Sequence, residues 1–354
     1  MSAPAAAELS QAYRGKRVLL TGHTGFKGSW LLLWLESLGA EVHGLSLAPE
    51  TQQWLFAAAQ LERHCRHLEG DVRDFALVKK RVAEVKPDFV FHLAAQPLVR
   101  RSYAQPLETL ATNAMGTAHV LEAVRLWGGP CRVVIVSSDK CYENRERDEG
   151  YREDEAMGGH DPYSMSKGAT ELVTASWRRS FGLTVASARA GNVIGGGDWA
   201  EDRLVPDIVR SLAANQPVPV RNPKSVRPWQ HVLEPLSGYL LLGARLGDPK
   251  VAQGWNFGPS DESSRTVREL VEQMIATWGS GRWEDKSDPK AVHEAKLLRL
   301  SIAKAKAELD WAPRWGFEET VKRTVSWYRA QSQGASSGEL VQLTLGDIAA
   351  YQQS

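Results

Sequence analysis

The stretch "VLLTGHTGFKGSW", Val18 to Trp30, joins a β-rich run to a segment of helical length. Gly22, Gly25 and Gly28 stand three residues apart at that junction. Without a Cβ the backbone turns tightly and touches a pyrophosphate, whose charge then lies at the helix N-terminus. Strand, glycine loop and helix together predict the first unit of a dinucleotide-binding sheet. The spacing is G-x-x-G-x-x-G rather than G-x-G-x-x-G, so the setting carries the reading as much as the glycines do.

Outward from this loop, strand-like and helix-like segments alternate. "EVHGLSL", a part of "HCRHLEGDVRD", "KPDFVFHLAA", "CRVVIVSSD" and "LTVASARAGNVIG" read as further strands. Helical stretches such as "TLATNAMGTAHVLEAVRLWG" and "DPYSMSKGATELVTASWRRSFG" lie between them. This alternation predicts an α/β fold, a Rossmann-type doubly wound parallel sheet covered on both faces. After about residue 190 prolines and tryptophans cluster, which predicts a second, smaller α/β substrate domain. The expected division is 1–190 for the dinucleotide and 191–354 for the substrate, with 229–258 returning to the sheet. The end of the chain, from Gln331, is polar and then helix-like, with no role legible in it.

Composition narrows the class. Charged residues are 24% and hydrophobic ones 43% of 354 residues, with a net charge of +1. No basic block suggests nucleic acid or an anionic membrane. "WLLLWL", Trp30 to Leu35, is far too short for a membrane span and reads as one packed helix face. The first ten residues lack the marks of a secretory signal. Cys65, Cys131 and Cys141 have no metal-ligand spacing, and no metal is expected; a reducing cytoplasm is the simplest home.

Within the glycine loop, Lys27 is either a phosphate neighbour or a solvated helix-start residue. The second strand ends in "HGLSLAPE", without the acid expected for a ribose 2′-hydroxyl or an arginine for a 2′-phosphate. NAD and NADP therefore stay open on local chemistry. After the third strand, Asp71 and Val72 either frame an adenine or form a plain turn. Ala94 and Ala95, after the fourth, are small enough to let a cofactor pass.

"SSDKCYENRE" leaves the fifth strand with a hydroxyl, a carboxylate and an ammonium at Ser138, Asp139 and Lys140. "DPYSMSKGATEL" puts Tyr163 and Lys167 four residues apart, on one helix face. A free tyrosine, with a pKa of about 10, is a poor base at neutral pH. A neighbouring ammonium and a cationic nicotinamide both favour its phenolate. A Y-x-x-x-K pair alone is common; behind a glycine loop and a serine-bearing strand it points to hydride chemistry.

These residues resemble the extended short-chain dehydrogenase/reductase family of nucleotide-sugar enzymes. "TGHTGFKGSW", "FHLAAQPLVR", "SSDKCYENRE", "DPYSMSKG", "RAGNVIGGGDWAEDRLVPD", "RPWQHVLEPLSGY" and "WNFGP" look like the members that remove water from CDP-glucose. Met165 and His160 are small departures. The resemblance implies an NAD-dependent hydro-lyase. Tyr163 would take the sugar 4-hydroxyl proton, with Ser138 bonded to that oxygen and Lys167 beside it. Asp139 would protonate the departing 6-hydroxyl. Lys140 stands where relatives acting on dTDP-glucose carry a glutamate base; it would act as a base, hold Asp139 or stabilise an enolate.

The resemblance also implies that Gly22, Thr24, Gly25, Phe26, Lys27, Gly28, Asp71, Val72, Ala94, Ala95 and Asn113 surround NAD. Gln96, Asn192, Arg203, Arg227 and His231 would face the sugar nucleotide. Gln96 has a helix cap as its alternative, and the arginines have surface ion pairs. Trp199, Trp229 and Trp255 are more readily packing residues than a stacking platform. A homodimer joined through "TNAMGTAHVLEAV" and "YSMSKGATELVTASW" is implied as well. Two rivals are a nucleotide-sugar 4-epimerase, which needs no acid at Asp139, and a cofactor-sensing protein, which needs no phenolate.

Overall fold

The computed structural model describes residues 6–287 and 298–354. Met1 to Ala5, half of the segment read above as carrying no secretory signal, lie outside the described residues. Strands β1 (Arg17–Thr21), β2 (Glu41–Ser46), β3 (Arg66–Glu69), β4 (Phe89–His92), β5 (Arg132–Val136) and β6 (Val185–Ala190) follow the sequence pattern. The expected sixth strand is interrupted at Gly191 and Asn192 and resumes as β7 (Val193–Ile194). Short strands follow: β8 (Val218–Val220), β9 (Val226–Pro228), β10 (Gln230–His231), β11 (Gly254–Phe257), β12 (Ser264–Thr266) and β13 (Trp283–Asp285).

Seven strands form one parallel sheet in the order β11-β6-β5-β4-β1-β2-β3. Val18 of β1 pairs with Val42 on one side and Phe89 on the other, so the winding reverses between β1 and β4. At such a reversal the crossovers leave in opposite directions and open a crevice at the strand C-terminal ends. Every residue of β4 and β6 is buried, as helices on both faces require.

"WLLLWL" lies in the helix Phe26–Ser37 and is buried on all sides rather than on one face. The reason is its position. Trp30 donates its indole N–H to Gly196 O at 2.9 Å, and Trp34 meets the Tyr351 ring at 5.7 Å. The helix is thus sandwiched between the sheet and the C-terminal segments. Each of these side chains contributes about 2–3 kcal/mol of burial. Among the described residues no helix is long and apolar enough to cross a membrane.

The chain end, unreadable beforehand, is a helix, Ser337–Gln353, opened by a capping box of Ser336 and Glu339. Its Tyr351 donates to the carboxylate of Glu234, which also accepts the Arg314 and Trp315 backbone N–H groups. Burial raises the Glu234 pKa to about 7, against these donors.

A second buried charge sits beneath the crevice. Glu171, on the helix Pro162–Phe181, accepts from Arg189 of β6 at 2.8 Å, from Ser187 at 2.6 Å and from Ser137 after β5. Arg189 also donates to the Tyr142 hydroxyl at 2.6 Å, and Tyr142 to Asn256 of β11 at 2.8 Å. Both charges are 5% exposed. Burial pushes the Glu171 pKa up, but Arg189 and the hydroxyls more than offset it. Removing one partner strands the other without solvent, so Arg189→Met should cost about 3–5 kcal/mol. A urea midpoint unchanged from the parent protein would contradict this.

Candidate active site

The crevice is edged by the ends of β1, β4, β5 and β6. Ser138 follows β5 in extended conformation and caps a short turn, Asp139–Cys141. Its Oγ accepts the Lys140 backbone N–H at 3.2 Å and donates to Asp139 Oδ1 at 2.7 Å. The other carboxylate oxygen fits against Gly191, where a Cβ would stand 3.1 Å from it. Asp139 is 9% exposed. Burial raises its pKa, Lys140 being the foremost charge and Ser138 the foremost hydrogen bond acting the other way.

Tyr163 stands in the first turn of its helix because Asp161 caps that helix, accepting the Ser164 N–H at 2.9 Å, and Pro162 fills the first position. Burial pushes its phenol up to about 12; Ser138 as hydrogen-bond partner and Arg203 as charge pull it down. Lys167 donates to Val136 O at 3.3 Å. Burial lowers its pKa to about 8. Tyr163 and Lys167 stand four residues apart on one helix, and the Lys167 amine is held by the Val136 carbonyl. Gly168 lets the 141–158 loop cross this helix, since a Cβ there would stand 2.8 Å from Gly158 O. His160 pairs with Glu143 at 3.1 Å, and Met165 is 40% exposed, so neither departure touches the site.

The glycine loop has three different reasons for its glycines. Gly22 has φ +75, and a Cβ would sit 2.6 Å from Ala94 N, so it serves the approach of two loops. A Cβ on Gly28 would collide with Gly22 O. Gly25, the helix N-cap, has nothing nearer than 3.4 Å. Packing does not demand a glycine there. Beside it lies Trp54, with a ring carbon 4.0 Å from that Cβ position and a buried indole N–H lacking a partner among the described residues. An uncommitted donor at a helix N-terminus fits a pyrophosphate. At the end of β2, Thr24 and Ser46 share a hydrogen bond of 2.7 Å, a hydroxyl pair where an acid was sought.

Several expected ligand residues have other occupations. His231 is fully buried between Trp30 and Trp315, with ring distances of 5.4 and 5.0 Å, and burial lowers its pKa to about 3. It belongs to the core, and it follows Arg227 along strands rather than one helical turn later. Gln96 spends its amide on Leu98 and Thr109, at 2.6–3.1 Å, and is a loop brace rather than a helix cap, Leu98 being the cap residue. Asn113 is likewise committed, bonding Gln96 N and O and Ser166 Oγ. Val72 points into the core against Gly116, and its carbonyl meets the His119 ring at 2.9 Å, leaving its backbone N–H for a ligand. Asp71 is paired with Arg73. The Phe26 side chain packs in the core beside Gly195, so its backbone is what faces the loop.

Others converge. Arg203 holds the buried Asp198 at 3.3 Å, and its charge acts to lower the Tyr163 pKa. Lys27 is not a solvated residue: its ammonium lies 6.0 Å from the Tyr239 ring, and burial, then Arg203 and Lys167, lower its pKa to about 7. Asn192 is exposed at the mouth, and Ala94 and Ala95 are half-buried beside Gly22. Arg227, half-buried on β9, stands directly opposite Arg265 of β12. The Arg265 guanidinium pairs with Glu269 at 3.9 Å and donates to Glu262 O and Ser264 O at 2.6 and 3.0 Å. Sequence reasoning missed Arg265 and Trp54; no local motif marks either. The indole N–H groups of Trp199, Trp229 and Trp255 are bonded to Gln331, Arg265 O and Val251 O, as packing residues.

The GDP-mannose 4,6 dehydratase family model matches residues 19–324. The chain is 52% identical to CDP-glucose 4,6-dehydratase of Salmonella typhimurium, over 91% of this chain and 93% of that protein. It is 29% identical to a dTDP-glucose 4,6-dehydratase of Xanthomonas campestris, over 88% and 92%. Its fold matches a dTDP-glucose 4,6-dehydratase from Streptomyces venezuelae, solved with NAD bound, with TM-score 0.78, 27% identity and coverage of 90% and 98%. A UDP-glucose 4-epimerase from Thermotoga maritima matches with TM-score 0.79 at 24% identity, over 89% and 99%, which speaks for the fold alone.

Proposed function

The chain belongs to the GDP-mannose 4,6 dehydratase family, and from that premise we propose that it is a hydro-lyase acting on CDP-D-glucose. The products are CDP-4-dehydro-6-deoxy-D-glucose and water. The observation that carries this reading over an epimerase is Asp139, a buried carboxyl hydrogen-bonded to Ser138 in the same cluster as Tyr163. An epimerase has no leaving oxygen to protonate. The 52% identity to a CDP-glucose 4,6-dehydratase supports the choice of sugar nucleotide.

NAD fits the glycine loop, and when bound it supplies the acceptor that takes the C4 hydride and returns it to C6. Gly22, Thr24, Gly25, Phe26 and Gly28 hold it through backbone and hydroxyl, with Ala94 and Ala95 beside them. Residues 1–190 mainly carry this duty and 191–354 mainly the sugar nucleotide, although β11 lies in the large sheet. Arg203, and Arg227 with Arg265, suit a pyrophosphate through bidentate donation; Asn192 faces the sugar.

Tyr163 accepts the 4-hydroxyl proton while Ser138 steadies that oxygen. The ketone so formed acidifies C5–H, the Lys140 amine takes that proton and later returns it to C5, and Asp139 protonates the 6-hydroxyl as it leaves. Once protonated, Lys140 stabilises the enolate and is the foremost charge acting on Asp139. Lys140→Ala should slow elimination and suppress exchange of the C5 hydrogen with solvent; unchanged exchange would remove it as the base.

A homodimer fits the exposed apolar residues on two neighbouring helices. Met115, Leu126, Met165, Leu172 and Phe181 are 40–63% exposed around Gly116–Trp127 and Pro162–Phe181. Sedimentation should give twice the 39.1 kDa chain mass; a monomer would overturn this. The three cysteines carry no disulfide, in keeping with a cytoplasmic enzyme. The experiment for function is direct. Purified protein with CDP-glucose should give a product lighter by one water, and dTDP- or GDP-glucose should give far less. An isomeric hexose would point to the epimerase, and no reaction to the sensor.

A further inference from the structure

The turn Asp139–Cys141 does not hold itself in place. Its backbone bonds are long, 3.2 Å from the Cys141 N–H to Ser138 O and 3.4 Å from the Tyr142 N–H to Asp139 O. A turn this short has poor hydrogen-bond geometry. The side-chain bonds of Ser138, to Asp139 Oδ1 and from the Lys140 N–H, stay within the turn and its cap. None of these bonds fixes the turn against the helix that carries Tyr163 and Lys167. Oxidation and water loss nevertheless act on one sugar, so the two groups must stand in register.

One buried ion pair grips the turn from both sides. Before it, Ser137 donates its hydroxyl to Glu171. After it, the Tyr142 hydroxyl accepts from Arg189 at 2.6 Å and donates to Asn256 at 2.8 Å. Arg189 and Glu171 meet each other at 2.8 Å, which closes the bracket. Tyr163, Lys167 and Glu171 follow at four-residue spacing on the helix Pro162–Phe181 and share one face. Arg189 stands in β6, two residues before Gly191, against which Asp139 fits. We propose that the Glu171–Arg189 pair is a positioning clamp. Through Ser137 and Tyr142 it sets Ser138, Asp139 and Lys140 in register with Tyr163 and Lys167. The inference rests on the dehydratase roles given above to those five residues.

The energetics of burial weaken the alternative that the pair serves stability alone. Taking two charges out of water offsets much of their attraction, and fixing register is the best-attested use of such a pair. Ser137, Tyr142, Glu171 and Arg189 are 5, 1, 5 and 5% exposed, so water does not compete for their bonds. The Tyr142 ring is seated independently of its hydroxyl. It stacks on Tyr151 at 5.4 Å, and the Arg189 guanidinium lies 5.0 Å from its centre. The ring fills the cluster, and the hydroxyl aims the turn.

The test releases one end of the turn at a time and leaves the ion pair intact. In Tyr142→Phe, Arg189 keeps Glu171 and Glu153 O; in Ser137→Ala, Glu171 keeps Arg189 and Ser187. Tyr142→Phe frees the end nearer Asp139 and Lys140. Water loss from CDP-glucose should slow by about a hundredfold, the scale of misplacing a reacting group by about 1 Å. Cofactor reduction should stay near the parent rate, so a reduced-cofactor absorbance accumulates, with KM changed only a few-fold. Ser137→Ala loosens Ser138 first and should slow cofactor reduction as well. Hydrogen exchange gives a readout apart from turnover: the amides of 141 and 142 should exchange faster in both variants, with β4 unchanged. Parent turnover in both variants overturns the clamp, as does unchanged exchange at 141 and 142. Equal loss of oxidation and elimination in Tyr142→Phe also overturns it, since that is what a merely weakened fold gives. If the parent protein forms no dehydrated sugar, the dehydratase reading fails, and the exchange at the turn still decides whether the clamp holds it.

Discussion

Tyr163→Phe should lower turnover of CDP-glucose by about a thousandfold, within the range for loss of a positioned acid–base group. The ring survives, so the helix beginning at Pro162 and its Asp161 cap are undisturbed. What disappears is the only atom that accepts the 4-hydroxyl proton. Burial holds this phenol near 12 in the protein alone. Bringing it close to 7 requires about 7 kcal/mol of differential stabilisation of the phenolate. Ser138 and Arg203 contribute part of that. The rest falls to the positive charge of the oxidised cofactor and to Lys167, whose amine must turn from Val136 O to help. Sugar oxidation should accordingly accelerate as pH rises, because the base form is the depleted one. Rapid-mixing absorbance should show no cofactor reduction in Tyr163→Phe, with CDP-glucose binding changed only a few-fold. Reduction at the parent rate would remove Tyr163 as the base.

Asp139→Asn should separate the two halves of the reaction. Its amide is nearly isosteric and still accepts from Ser138, but it has no acidic proton to give. Cofactor reduction should continue at close to the parent rate while water loss slows by about a hundred- to a thousandfold. A reduced-cofactor signal should then accumulate. The pH dependence runs opposite to that of Tyr163. Burial raises the Asp139 pKa, so its acid form is gained as pH falls and lost as pH rises through that value. Oxidation limited by a base and elimination limited by an acid give a bell-shaped profile for overall turnover. Full turnover by Asp139→Asn, or a profile that rises without limit, would contradict its role.

The sequence made the frame and the reacting groups readable because both are local patterns. Val18 to Trp30 holds strand, turn and helix in thirteen residues, and Ser138 to Lys140 and Tyr163 to Lys167 are each one short motif. Roles that depend on a distant partner were harder to see. His231 looked like a ligand until Trp30 and Trp315 closed around it. Gln96 and Asn113 are polar, yet both amides are spent within the fold, Gln96 on Leu98 and Thr109 and Asn113 on the Gln96 backbone and Ser166. Lys27 read equally as a phosphate neighbour or a solvated helix-start residue, and only the fold brings it beside Tyr239. Arg265 lies thirty-eight residues after Arg227 and meets it through strand pairing. A buried polar residue is explained by its partner, and a partner far along the chain leaves no trace in a motif.

The mechanism can be tried most directly with CDP-glucose carrying deuterium at C4. The dehydrated product should hold that deuterium at C6 of the same molecule, because the hydride leaves and returns within one closed site. Product bearing solvent hydrogen at C6, with the label lost, would contradict an internal hydride transfer and with it the role assigned to this crevice.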